Sequence, residues 1–198
     1  QVEAPRNRND SEIHFLTIEE VQCLLQTAES HYPQIVPHYS LALFAGIRAE
    51  ELSRLESQHV TASGIDLGSD VTKKGRRRHI TPNDTLSRWL AAYPYEPCSN
   101  LREVDRAVRR LAGWDVAAAL LDTPPEPSRG KWPQNALRHT YASYAVASGV
   151  PLDRLLFEFG HTGGVAILRE HYVGRATKSH ADEFFRLSPD LRSGKPDR

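Results

Sequence analysis

The stretch "ALRHTYASYAVASGV", residues 136–150, predicts a largely apolar helix that nevertheless carries a guanidinium, Arg138. A second stretch, "EFGHTGGVAILREHYVG" at residues 158–174, sets His161 in a glycine-rich turn and Tyr172 eleven residues later. A buried charge without a partner is too costly to keep, so Arg138 must either pair with an acid or face a polar cleft. The sequence of this helix leaves both interpretations open.

Composition excludes several classes of protein. The 198 residues suffice for one good core, and 25 basic side chains balance 25 acidic ones, so net charge gives no argument for a nucleic-acid partner. Cys23 and Cys98 stand outside any CxxC or CxxH motif, which indicates free thiols in a reducing compartment. No apolar run approaches the roughly 20 residues of a membrane span, and no signal-peptide pattern opens the chain. We therefore expect a cytoplasmic protein without a membrane partner.

Periodicity predicts an α+β fold that is mainly α, with a small antiparallel β-sheet. Thr17 and Glu20 form a capping-box pattern that begins a helix ending near residue 30. Residues 58–82 are β-branched with a glycine at each turn, which predicts two or three short strands. Further helices are expected at "HYSLALFAGI", "AEELSRLES", 84–92, 101–113 and 115–122, and within 134–187 as two helices, a glycine turn, a short helix and a last helix "SHADEFFRL".

These patterns also predict the domain organisation. We expect residues 1–12 to be a linker remnant, residues 13–188 to form one folded domain and residues 189–198 to be a flexible tail. The chain contains no methionine and starts at a glutamine, so we expect it to be a piece of a longer protein.

Two basic features could bind an anion. In "GIRAEEL", Arg48 stands where a helix begins, three residues before Glu51; it could strengthen an anion site or simply pair with Glu51 on a solvated face. In "KKGRRRH", residues 73–79, five of seven positions are Lys or Arg. Such a run on a hairpin could follow a phosphate backbone, and one lysine could protonate a leaving oxygen; the alternative is an edge strand protected by charge.

His161 and Tyr172 also allow two interpretations. His161 could bind an anion or shuttle a proton, and Tyr172 could act as a nucleophile in an electropositive pocket, although most tyrosines only pack. The chain has no GxSxG elbow, Walker loop or HExxH motif, and its nine histidines show no metal-binding spacing. We therefore expect no metal.

Taken in order, these clusters resemble the catalytic domain of the tyrosine recombinase (phage integrase) family. "FAGIRAEEL" resembles the family's "TGLRxSEL", and "KKGRRRHITP" resembles its hairpin "GKGxKxRxVPL". "NALRHTYASYAVASG" resembles the family's "HxLRHTFATxLLxxG". Finally, "FGHTGG" resembles "LGHSS", and "REHYVG" resembles "xxxYxH". The likeness spans roughly residues 14–187 and is closest to bacterial and mobile-element integrases. It implies the tyrosine recombinase catalytic fold, and the matching catalytic positions are Arg48, Lys74, Arg138, His161 and Tyr172.

The resemblance also implies partners and supporting residues. Glu51 would support the first arginine. The partner would be double-stranded DNA, bound by a homotetramer that exchanges C-terminal segments, although the isolated domain could be a monomer, and no cofactor would be needed. The family's N-terminal core-binding domain is expected to be absent from this chain. The residues expected to contact DNA are Lys73, Arg76, Arg77, Arg78, Arg109, Arg110, Arg129 and Lys131.

One departure from the family concerns proton transfer. The family has a histidine three residues before the second arginine, where this chain has Asn135. An amide cannot exchange a proton with Tyr172, so we expect His161, water or Lys74 to take over. Asn135 also keeps two other hypotheses open: a non-catalytic DNA-binding or regulatory module with the same fold, and an unrelated phosphoryl-transfer enzyme that uses the arginine pair.

Overall fold

The structure is a computed structural model and describes residues 13–72, 77–159 and 164–189. Within these ranges the chain forms nine α-helices and one three-stranded sheet. The elements are α1 (Ile18–His31), α2 (Val36–Ala45), α3 (Ala49–Leu52), β1 (Val60–Thr61), β2 (Gly64–Leu67), β3 (Arg78–Ile80), α4 (Asp84–Ala92), α5 (Leu101–Leu111), α6 (Ala136–Ser148), α7 (Leu152–Phe159), α8 (Gly164–Tyr172) and α9 (Lys178–Phe184). The predicted fold, mainly helical with a small antiparallel sheet, is confirmed.

Local signals explain where the first helix starts. The Thr17 side chain accepts a hydrogen bond from the backbone N–H of Glu20 at 3.2 Å, and the Glu20 carboxylate accepts one from the N–H of Thr17 at 2.9 Å. This reciprocal pair satisfies two N–H groups that a helix start leaves without partners. The capping box that the sequence predicts is therefore present.

The core is built around α2, all ten residues of which are buried. This helix packs against α4 and α6, and α9 packs against α6. Phe184 of α9 is fully buried and stacks on Tyr144 of α6, with ring centroids 4.4 Å apart. Because α2 and α6 share a long interface, the residues at their ends are held in fixed relative positions.

The sheet has the order β1-β2-β3 with antiparallel neighbours, and Ile65 of β2 pairs with Ile80 of β3. Alternation along β3 buries Arg78 and Ile80 and exposes His79. Side chains of successive strand residues point to opposite faces, so Arg78 is directed inward with the apolar residue.

The predicted helix at residues 115–122 is wrong. After α5, Gly113 adopts φ +98°, and its carbonyl oxygen accepts hydrogen bonds from the N–H groups of Ser128 and Arg129. The N–H of Asp115 then donates to the carbonyl of Gly130 at 3.2 Å. These long-range backbone bonds take the place of helical ones in a segment too short to form a stable helix by itself.

The C-terminal helix packs on its own domain. The indole N–H of Trp89 donates to the carbonyl of Leu187 at 3.2 Å, and the hydroxyl of Thr85 donates to the carbonyl of Phe185. Together with the burial of Phe184, these contacts hold α9 in place within a single chain. Across the described ranges, every helix is too short or too polar to cross a membrane.

Candidate active site

Arg138 is fixed at the meeting point of three segments. It lies near the start of α6, is 7% exposed, and donates from Nη1 to the carbonyl of Gly46 at 2.5 Å and from Nη2 to the carbonyl of Phe159 at 2.9 Å. The guanidinium also lies over the Phe159 ring, 4.0 Å from its centroid. A guanidinium carries five N–H donors, so these two bonds fix the side chain and leave further donors for an anion.

Gly46 makes this arrangement possible. It ends α2 with φ +63°, and a Cβ there would overlap the rings of Phe159 and Tyr141. Glycine adopts this left-handed conformation without steric cost. The close approach of backbone to rings then allows the Gly46 carbonyl to reach Arg138.

Glu51 joins two other arginines. Its Oε1 accepts from Nη1 of Arg48 at 3.1 Å and from Nη1 of Arg78 at 3.1 Å, while Oε2 accepts from Nη2 of Arg78 at 2.6 Å. The backbone N–H of Arg48 also donates to Oε2, at 3.1 Å. Glu51 and Arg78 are almost fully buried, whereas the Arg48 side chain is 33% exposed. The buried carboxylate of Glu51 therefore holds the partly exposed side chain of Arg48 in position.

The pKa shifts show that these groups act on one another. Burial raises the pKa of Glu51, but hydrogen bonds and positive charge from Arg78 and Arg48 more than offset it, so the pKa lies below its ordinary value. Burial, with smaller contributions from the charges of Arg48 and Arg78, lowers the pKa of Arg138 to about 9, while Glu51 opposes this shift. Arg138 still carries its charge at neutral pH.

The cluster is electropositive. Three guanidinium groups face the single carboxylate of Glu51, which leaves two positive charges in excess among these four residues. Buried positive charge without full compensation is unfavourable, and a bound anion would relieve it. The cluster can therefore attract an anion, to which the N–H groups not used in these contacts can donate.

Tyr172 lies beside this cluster. The residue ends α8, is 4% exposed, and its Oη lies 2.7 Å from Nδ1 of His139 on α6. Burial raises the pKa of Tyr172, and the positive charge of Arg138 lowers it again in part. Arg138 thus interacts electrostatically with both Arg48 and Tyr172.

His139 is the residue that the sequence interpretation missed. It is half-buried, and burial together with the charges of Arg138 and His171 lowers its pKa to about 4. One signal was present: His139 follows Asn135 by four residues, a separation of about one helical turn.

Asn135 stands at the N-cap of α6 in the left-handed conformation, with φ 54°, and is exposed. Asparagine is among the few residues that adopt this conformation readily. Its side chain makes no capping hydrogen bond.

Several predicted site residues lie outside the described ranges: Lys73, Lys74, Arg76 and His161. The neighbouring Arg77 is described and exposed. Arg78, which was expected to contact DNA, is instead buried against Glu51.

The other predicted DNA-contacting arginines are engaged in contacts within the fold. Arg109 forms an ion pair with Asp105 at 2.7 Å and lies over the Trp132 ring at 4.1 Å. Arg110 donates to the carbonyl of Pro125 at 2.7 Å. Arg129 likewise donates to the carbonyl of Ala112 and pairs with Glu20, and Lys131 is exposed.

Comparison with known proteins establishes the fold. No family sequence model matches the chain, and no curated protein matches it in sequence. Three solved structures match over most of the chain: XerA recombinase, the catalytic domain of bacteriophage HP1 integrase, and the Tn1549 transposon integrase in complex with transposon right end DNA. Their TM-scores are 0.60, 0.61 and 0.58, with sequence identities of 19%, 19% and 15%.

The extent of each match differs. The alignments cover 92%, 93% and 88% of this chain, and 65% of the XerA chain, 100% of the HP1 catalytic domain and 66% of the Tn1549 integrase chain. The chain thus spans about two thirds of two of these proteins and all of the third. These neighbours are recombinases and integrases, and the chain has the fold of an integrase catalytic domain, which the sequence motifs predict.

Proposed function

We propose that this chain is the catalytic domain of a tyrosine-type site-specific DNA recombinase, which cuts and rejoins DNA strands through a 3′-phosphotyrosyl intermediate. One observation carries the proposal: the buried Tyr172 hydroxyl lies beside the electropositive cluster that contains Arg138 and Arg48. A tyrosine next to an anion site is placed to attack a phosphate bound there.

In this reaction the two arginines bind the scissile phosphate. Arg48 and Arg138, with His161, would hold its non-bridging oxygens, and Glu51 positions Arg48. Each guanidinium can offer two parallel N–H bonds to phosphate. Negative charge on these oxygens grows in the pentacoordinate transition state, so the cluster stabilises that state more than the ground state.

The bonds change as follows. The Tyr172 oxygen forms a bond to phosphorus while the bond from phosphorus to the 5′-oxygen breaks, and Lys74 gives a proton to that oxygen. The 3′-phosphate ester then remains on Tyr172. A 5′-hydroxyl from a partner strand later attacks the same phosphorus and releases the tyrosine. The phosphotyrosyl ester conserves the energy of the broken phosphodiester bond. Neither a metal nor a nucleotide cofactor is therefore needed for rejoining.

Further contacts with the DNA backbone would come from basic residues outside the arginine cluster. Arg77 and Lys131 are exposed, and we propose them together with Lys73 and Arg76 as direct phosphate contacts. Arg109, Arg110 and Arg129 are anchored by bonds within the fold and would offer their remaining N–H groups from fixed positions. Such contacts give affinity that falls with salt and carries no base specificity. The DNA-bound Tn1549 integrase supports a DNA partner for this fold.

Assembly and location follow from the family resemblance. We propose that the protein acts in the cytoplasm of a bacterium or for a mobile element, as a homotetramer on DNA that exchanges C-terminal segments. The packing of α9 on α6 of its own chain suits a monomer in the absence of DNA. Mass photometry with and without DNA distinguishes the two states, and a tetramer only on DNA is expected.

The test uses a pool of random-sequence DNA duplexes, each nicked so that a cleaved strand end diffuses away and traps the covalent intermediate. We expect an adduct that survives denaturation with the wild-type chain and not with Tyr172→Phe. Tyr141→Phe is the matched control: its buried hydroxyl donates to Glu158 at 3.1 Å, and burial and that carboxylate raise its pKa. This variant should retain the adduct.

The exposed Asn135, where the family has a histidine, favours the alternative of a non-catalytic DNA-binding or regulatory module. Binding of the same duplex pool without any adduct would support that module and overturn the recombinase. An adduct that forms only with added divalent metal would point to an unrelated phosphoryl-transfer enzyme.

A further inference from the structure

The contact between Tyr172 and His139 joins two helices that are distant in sequence. Tyr172 Oη and His139 Nδ1 are 2.7 Å apart, and their ring centroids are 5.8 Å apart with an interplanar angle of 34°. This distance is that of a strong hydrogen bond to a hydroxyl. The phenol of Tyr172 therefore has a nitrogen partner before any DNA is bound.

Both groups of this bond are neutral at pH 7, so the tautomer of the imidazole sets its direction. The lowered pKa of His139 leaves the imidazole neutral at pH 7, and the raised pKa of Tyr172 keeps the phenol protonated. A phenol O–H is the better donor and a neutral imidazole nitrogen the better acceptor. With its proton on Nε2, His139 accepts the hydrogen bond of Tyr172 at Nδ1.

Asn135 cannot take up the proton of Tyr172, so another residue must accept it. An amide oxygen can accept a hydrogen bond but cannot take up a proton, and Asn135 is exposed at the start of α6. His139 lies one helical turn further along and already contacts the phenol.

We propose that His139 is the general base that takes the proton of Tyr172 when the tyrosine attacks phosphate. This inference rests on the proposed function. The proton moves from Tyr172 Oη to His139 Nδ1 as the Oη–phosphorus bond forms, while the leaving 5′-oxygen takes its proton from the separate general acid. On religation the imidazolium returns the proton to the released tyrosine oxygen. His139 thus touches a reacting atom and is a catalytic residue.

The electrostatic neighbours of His139 explain how it gains basicity when DNA binds. The groups that act on its ring are Arg138 on its own helix and His171 and Tyr172 on α8. Burial contributes most to the low pKa of His139, and the charge of Arg138 lowers it further; a bound phosphodiester adds a negative charge beside Arg138 and counters this second contribution. Proton transfer is therefore coupled to phosphate binding.

The first test needs no DNA. Long-range ¹H–¹⁵N NMR of the folded chain distinguishes the two imidazole tautomers, and we expect the Nε2–H form for His139. Tyr172→Phe should leave the fold intact and change the Nδ1 shift, because that nitrogen loses its donor. A Nδ1–H tautomer would overturn the proposal, because His139 would then donate to the tyrosine.

The second test measures the rate of adduct formation on the trapped duplexes. His139→Asn places an amide oxygen near the position of Nδ1, so it keeps a hydrogen-bond acceptor without a base. We expect this variant to be at least about 100-fold slower, with DNA affinity unchanged. His139→Ala should be equally slow, and added imidazole should restore its rate about tenfold. The control His180→Asn, at an exposed position of α9, should match the wild type.

The outcomes separate the two proposals. If the wild-type chain forms no adduct, the recombinase function fails while the tautomer measurement still decides the contact. If the wild type forms an adduct and His139→Asn is as fast, His139 only positions the tyrosine and the base assignment is overturned. Slow variants with imidazole rescue support it.

Discussion

Nη1 of Arg138 lies 2.5 Å from the carbonyl oxygen of Gly46, a hydrogen bond that spans 92 residues of sequence. It ties the start of α6 to the end of α2, two residues before Arg48. Of the two arginines that we propose to bind one phosphate, Arg138 is thus held by backbone carbonyls and Arg48 by Glu51.

Arg138→Lys should reduce the rate of adduct formation at least about 100-fold, because an ammonium cannot bond both carbonyls and a phosphate in one plane. The free energy of unfolding should fall by about 1–3 kcal/mol, since the carbonyls of Gly46 and Phe159 lose a donor. Urea unfolding and the trapping assay measure the two effects. Arg154→Lys, at a side chain that is 60% exposed, is the control and should change neither. A wild-type rate for Arg138→Lys would contradict the phosphate role.

Gly46→Ala should lower the free energy of unfolding by about 2–4 kcal/mol, because it adds left-handed strain and an overlap with the rings of Phe159 and Tyr141. Gly149→Ala is the matched control, with φ +95° and no atom within 4 Å of the added Cβ. It carries only the conformational cost of about 1 kcal/mol. Equal losses in the two variants, measured by urea unfolding, would show that the close approach at Gly46 is unimportant.

Glu51→Gln should cost about 3–5 kcal/mol of unfolding free energy, because it leaves Arg78 buried without its charge partner. The exposed neighbour Glu50 provides the control, and Glu50→Gln should change stability by less than about 0.5 kcal/mol. Because the pKa of Glu51 is lowered in the folded state, its contribution is present above the ordinary value of 4.5 and is lost as the pH falls through the folded value. The difference between wild type and Glu51→Gln should therefore shrink in acid.

His38 should make the fold sensitive to mild acid. It is buried on α2 against Tyr95, and burial lowers its pKa from 6.5 to about 4, although a hydrogen bond with the backbone of Gln34 opposes this shift. His38 does not reduce the free energy of unfolding above pH 6.5. As the pH falls from 6.5 to 4, the unfolded chain takes up the proton first, and the free energy of unfolding falls by at most about 3 kcal/mol. In urea unfolding at pH 4 to 7, His38→Phe should reduce this dependence to the part that His139 causes, because the pKa of His139 is also lowered to about 4, whereas His14→Phe at an exposed position should not reduce it. An unchanged slope for His38→Phe would show that His38 is not the group responsible.

Local chemistry explains what the sequence predicts well. The capping box at Thr17 and the helix at 84–92 depend on neighbouring residues, and both are present. The segment 115–122 fails because its backbone bonds to Gly130, a partner that no local pattern reveals.

In the candidate site, too, local signals can be predicted from the sequence and long-range contacts cannot. The motifs identify Arg138 and Tyr172 as separate residues of interest, but the contact of Tyr172 with His139 depends on how α6 and α8 pack. Arg78 was counted with an exposed basic run, yet the strand alternation with Ile80 places it inward, where Glu51 binds it. Three residues of sequence, Arg-His-Ile, show no polar–apolar alternation, so the inward direction of Arg78 could not be predicted from them.

The central claim is that Tyr172 becomes covalently joined to DNA, and peptide mass spectrometry of the trapped adduct tests it most directly. Trypsin cleaves after Arg169 and Arg175, so the tyrosine lies in the short peptide 170–175, "EHYVGR". After nuclease digestion, we predict that this peptide carries a nucleotide through a phosphodiester on Tyr172. A nucleotide on any other residue, or a trapped complex that dissociates on denaturation, would contradict the account.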